Sequence, residues 1–190
     1  MHDELNAFLL ELLNAGHLGS SCSPAQIEAD IRAGNYEDHI CFEYDELMRK
    51  AEEQTGRLAI YEELELDGRL RQPKEGQTAD QAAAVKELLG IFDEQRSRCA
   101  PWQALMPRLR QFAPMLLAAA GYPFFVDIMD EYGDLDEETK EELFEFYQLV
   151  SKVDFCATIF GFEEREEAEE YVKIAGVGRV QEIRHPLIPA

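Results

Sequence analysis

Basic residues are scarce in this chain. Its 190 residues hold 18 Lys and Arg against 39 Asp and Glu, a formal net charge of -21 and a sequence pI near 4.4. That imbalance far exceeds the modest net charge that keeps a small domain soluble. Nucleic acid and anionic membranes are themselves polyanions, so the long-range field disfavours direct binding to either, and basic proteins or cations are the natural partners. The same surface charge also arises as an adaptation to salt-rich solvent, with no partner involved.

Long apolar runs are missing too. Nothing approaches the roughly 18 uninterrupted apolar residues that read as a membrane-spanning helix. The opening MHDELNAFLLELLNAG lacks a basic n-region and carries Glu11 inside its apolar stripe, so no secretory signal is expected. The four cysteines, Cys22, Cys41, Cys99 and Cys156, form no CxxC pair. Reduced thiols and a cytoplasmic location are the expectation.

Catalytic signatures are equally sparse. There is no G-x-S-x-G elbow, no H-E-x-x-H helix and no glycine-rich phosphate loop, and Gly176-Val177-Gly178 follows a helical pattern where a nucleotide loop would precede one. His17, Cys22, His39 and Cys41 are the only clustered soft ligands. Their spacings, H-x4-C and H-x-C, are not those of common structural zinc sites. Neither a metal, nor another cofactor, nor an enzymatic activity is expected. An EF-hand loop fails as well, because Gly133 at loop position 6 would put Ile128 at position 1 and Thr139 at position 12.

What is present is helical periodicity. Leu5, Phe8, Leu9, Leu12 and Leu13 recur at three- and four-residue spacing ahead of Gly16. A second short helix is framed by Ser23 as N-cap, Pro24 at its first position and Gly34 as terminator. A third pattern runs from Tyr44 to Thr55 and is expected to stop at Gly56. Beyond it, Leu58, Ile60, Leu64 and Leu66 alternate ahead of Asp67-Gly68, which favours a small β-hairpin near residues 58–71 over a continued helix. PKEGQT, residues 73–78, is the best loop, with Thr78 capping the helix that follows. The segment after Arg98 carries Pro101, Pro107, Pro114 and Pro123, which predicts short or kinked helices with each proline near a helix start. Trp102, Leu105, Met106, Leu109 and Phe112 form an apolar stripe there, expected to be core. Helical patterns are also read over Asp127 to Val150 and Glu163 to Ala175, followed by a short extended segment. The fold expected is mostly α, about seven helices, as an N-terminal helical subdomain (1–72) and a C-terminal one (78–190), or one continuous domain.

The acidity is concentrated. From Asp127 to Glu170 there are 17 acidic and 3 basic residues, whereas residues 81–120 are net positive, with five basic against three acidic. Asp134 reads as an N-cap with Glu137 three residues on, and acids in a first turn suit the positive end of the helix dipole. At 100° per residue, Leu143, Phe146, Tyr147 and Val150 share one stripe, and Asp134, Glu138, Glu141 and Glu145 lie almost opposite. The next helix repeats the design, with Ala168, Tyr171, Val172 and Ala175 inward and Glu163, Glu166 and Glu170 outward. Like charges one turn apart destabilise a helix by a few tenths of a kcal/mol each. Folding alone would not select these rows. They point to a protein-binding inhibitor or antagonist, of the immunity-protein or phage-antagonist kind, expected to mask a basic, nucleic-acid-binding surface of a partner protein. A secretion-type chaperone or assembly subunit is the alternative, and a metal-dependent enzyme the third.

Overall fold

Backbone groups at helix ends need partners, and several ends here find them in their own sequence. The Ser23 side chain accepts the Gln26 amide at the start of α2 (Pro24–Ala33), Pro24 occupies the first turn, and Gly34 closes the helix at φ 77°. Thr78 and Gln81 make a reciprocal capping box, each side chain accepting the other's amide. Ser23→Ala should therefore cost about 1 kcal/mol of stability, read as a shifted urea midpoint with an unchanged slope.

The computed structural model describes residues 2–37, 39–66, 76, 78–150 and 152–183. Their elements in order are α1 (His2–Asn14), α2, α3 (His39–Leu66), α4 (Ala79–Ala119), β1 (Phe124–Asp127), a 3-10 turn (Tyr132–Asp134), α5 (Glu137–Leu149), β2 (Lys152–Phe155), β3 (Ile159–Phe162), α6 (Arg165–Ala175) and β4 (Gln181–Glu182). The chain is mostly α with one small antiparallel sheet, strand order β2-β3-β1-β4. Among the described residues, no helix is long and apolar enough to cross a membrane.

Two expectations need correction. Gly56 does not stop α3, which runs on through residues 58–66, so the alternation there belongs to a helix; residues 67–71 of the expected hairpin lie outside the described residues. An exposed Gly costs a helix only about 1 kcal/mol relative to Ala, too little to end one that packs well on either side. Nor do prolines break the later segment, since Pro101, Pro107 and Pro114 all lie inside α4. Pro101 and Pro107 are exposed, where water takes up the carbonyls that lose a donor.

The residues divide into two compact units, 1–49 with 110–190, and 50–109. They are not sequential halves; of the expected boundary at 73–78, residues 73–75 and 77 lie outside the described residues. In the second unit Ala51, Leu58, Cys99 and Leu109 are buried, the Cys99 thiol meets Gln54 Oε1 at 3.5 Å, and Lys50 Nζ sits 5.0 Å from the centre of the half-buried Trp102 ring.

In the first unit the sheet is covered on both faces. Val126, Phe160 and Phe162 point to one face, where Leu143 and Tyr147 of α5 and Ala168, Tyr171 and Ala175 of α6 complete a single core. Alternation sends their neighbours the other way. Phe155 packs on Tyr44 of α3, with ring centroids 5.1 Å apart. Gly161 lies so close to Leu117 of α4 that an added Cβ would come within 2.9 Å of its side chain. Asp127 receives Arg110 Nε and Nη2 at 2.9 and 3.1 Å, while Asp130 takes Nη1 and Nη2 at 2.8 and 3.0 Å. Two bidentate pairs on one guanidinium lock the end of α4 to β1 and the turn after it.

Candidate functional site

The cap of α5 is Asp136, whose side chain accepts the Thr139 amide at 2.7 Å. Asp134, expected in that role, instead ends the 3-10 turn, its amide bonded to the Glu131 carbonyl. The backbone bond from Thr139, then its side chain, hold the Asp136 carboxyl below its usual range. Shifting the cap by two residues leaves the faces of the helix as the spacing predicts. Leu143 and Tyr147 are buried, and Glu138, Glu141 and Glu145 are exposed together with Asp134. In α6, Ala168, Tyr171 and Ala175 are buried while Glu163, Glu166 and Glu170 are exposed.

One core fixes the orientation of both helices. The Tyr171 ring lies 4.6 Å from Phe160, 5.5 Å from Phe162 and 6.4 Å from Phe146, and Tyr147 meets Phe160 edge-on at 4.8 Å. With their inner stripes committed to the same cluster, α5 and α6 present their acidic rows to solvent. Glu170 pairs with Lys173 at 2.8 Å. Asp134, Glu138, Glu141, Glu145 and Glu166 have no ion pair among the described residues. Phe144 and Leu149, both on α5, are 63% and 84% exposed.

A polar network lies behind α5. Tyr147 donates its hydroxyl to Asp154 Oδ1 at 2.6 Å, and Asp154 Oδ2 accepts the Ala157 amide at 3.2 Å. Burial, then the charge of Asp154, push the Tyr147 hydroxyl well above its ordinary range, so it remains a protonated donor. From α3, Asp45 accepts the Cys156 amide at 2.7 Å through Oδ1 and Arg49 Nε at 2.7 Å through Oδ2. These amides belong to a hairpin tip in which Cys156 and Ala157 stand at φ 55° and 52°. Left-handed backbone costs a non-glycine residue roughly 1–2 kcal/mol. The two carboxylates hold that tip in place.

The loop bearing His17 and Cys22 has a different organiser. Glu43, 1% exposed, accepts the amides of Gly19 and Ser20 at 2.9 and 3.0 Å, the Ser20 hydroxyl at 3.0 Å, and both the amide and hydroxyl of Ser21. Burial works to raise its pKa, but the bonds from Ser21, Ser20 and Gly19 outweigh it and hold the carboxyl at about 2. The loop is thus tied by a carboxylate. His39 is exposed and Cys41 buried, and among the described residues no three His, Cys, Asp or Glu side chains are placed to hold a metal.

Sequence spacing located the acidic rows and missed the residues behind them. Glu43, Asp45 and Arg49 read as ordinary helix charges, and nothing local marks Asp154. Compared with protein-family models, with curated proteins and with solved structures, the chain matches none.

Proposed function

We propose that this protein binds a basic protein partner through the solvent face of α5 and α6, and acts as an inhibitor or antagonist of a nucleic-acid-handling protein by masking its cationic surface. The observation that carries the reading is the set of carboxylates at Glu138, Glu141, Glu145 and Glu166, without an ion pair among the described residues, on two helices whose inner faces share one core. Long-range charge accelerates encounter with a basic surface, and apolar contacts at its centre slow dissociation. Phe144 and Leu149 supply exposed apolar surface on the same helix. Trp102, the anchor that a chaperone reading would place on the surface, is half-buried under Lys50.

The test is charge reversal. Tagged wild-type protein and the triple variant Glu138→Lys, Glu141→Lys, Glu145→Lys are used to capture partners from source-cell lysate at low and high salt, with polylysine as a control for unspecific attraction. The variant should keep its helical circular dichroism and match or exceed wild-type stability, because like-charge repulsion is relieved. Its partner should be lost, and the wild-type complex should weaken steeply with salt. Equal capture by both proteins would rule this face out.

A further inference from the structure

We infer that a cavity between α5, α6 and the β2-β3 hairpin is a binding site for a small aromatic acid, one or two fused rings bearing a carboxylate. The cavity measures about 250 Å³, just below the range of drug-sized pockets, which limits an occupant to roughly that size. Phe144 and the half-buried Tyr132 supply accessible aromatic surface in its lining, and the core residues Tyr147, Phe160 and Tyr171, each at most 8% exposed, complete it. Ring walls of this kind favour a flat apolar body, held by offset or edge-on stacking.

The polarity of the occupant follows from which groups have capacity left. Asp154, the one carboxylate lining the cavity among the described residues, already accepts Tyr147 at one oxygen and Ala157 at the other. Its charge also interacts with that of Arg49, in the same lining. The donors are different. Arg49 commits only Nε, to Asp45, and its two terminal nitrogens have no partner among the described residues. Lys140 bonds one oxygen of Glu137 at 2.9 Å and lies 5.5 Å from the centre of the Tyr132 ring, which leaves further N–H groups available. The side-chain amide of Gln148 also borders the space. Spare donor capacity is therefore present in the lining, and a guanidinium and an ammonium in one lining suit a carboxylate.

Two further features fit a built site. The Lys140 side chain is only 22% exposed, in a chain with few lysines to spare, and its stem covers apolar surface while its ammonium lies 5.5 Å from the centre of the Tyr132 ring. Ala157, at the strained hairpin tip, forms part of the lining, and backbone strain of this sort gathers where geometry is tied to binding. The protein's overall field opposes an anion, but that field is screened beyond about 10 Å at 0.1 M salt, while Arg49 and Lys140 stand in the lining itself.

The probe is 1-naphthoate, with 1-naphthylmethylamine and naphthalene-2-methanol as cationic and neutral counterparts, titrated into the full chain by calorimetry and by amide NMR. Naphthoate should bind with Kd of about 0.1 mM, a modest value for a ligand of its size. It should shift the amides of Ala157 and of residues around Tyr147 and Tyr171. Arg49→Gln and Lys140→Gln should each weaken it about tenfold, the worth of one charge-assisted hydrogen bond, with thermal melts confirming that both variants fold. Preference for the amine, equal binding of all three probes, or affinity unchanged in both variants would overturn the assignment. The triple lysine variant of the acidic face should retain naphthoate binding, so the two readings fail separately.

Discussion

Glu43→Gln is expected to lower stability by about 3 kcal/mol at pH 7, the scale of hydrogen bonds lost from a buried charged acceptor. In the wild type, three backbone amides and two hydroxyls of residues 19–21 converge on the Glu43 carboxylate. An amide side chain would turn one of its two acceptor atoms into a donor, facing N–H and O–H groups that then have no acceptor. The pH profile identifies the cause. The folded carboxyl titrates at about 2, depressed from 4.5. Its stabilisation is fully present above about pH 4.5 and is lost as pH falls toward 2. The gap between wild type and variant, measured by urea denaturation at fixed pH, should therefore close across that window. A gap that persists at pH 2.5 would show that the loop is held by shape and not by charge.

Tyr171→Ala should cost more, about 3–5 kcal/mol, because it empties a large aromatic position from a packed core. The ring is 1% exposed and touches Phe146, Phe160 and Phe162. Both acidic helices depend on that cluster, so the variant should lose near-ultraviolet dichroism and partner capture together. Glu166→Lys, on the outer side of the same helix, should stay within about 0.5 kcal/mol of wild type. Equal losses from the two changes would mean that the acidic row does contribute to folding.

How legible these features are in sequence depends on how local their causes are. The frame of α2 was fully legible, because Ser23, Pro24 and Gly34 act on their own neighbours. The inner and outer faces of α5 and α6 were legible from a 100° repeat alone. Asp136 was hidden behind Asp134, since both precede an acidic first turn, and only the 3-10 turn at Tyr132–Asp134 decides between them. The sheet was missed for a different reason. Its strands are four residues or shorter, and all four residues of β3 are buried, so alternation between wet and dry positions never appears. The network behind α5 spans too much sequence to read, with Asp45 bonded to an amide 111 positions away.

The discontinuous first unit also sets an order of events during synthesis. Residues 1–49 belong with residues 110–190, so the early helices leave the ribosome well before the sheet that completes their unit exists. At roughly 5–20 residues per second, strand β4 follows Arg49 by about 7–27 seconds. Over that interval the Glu43 clasp on the Gly19–Ser21 loop is already within reach, because both of its halves lie in the first 49 residues. The nascent N-terminal segment thus has a ready-made restraint of its own while it waits for its partners.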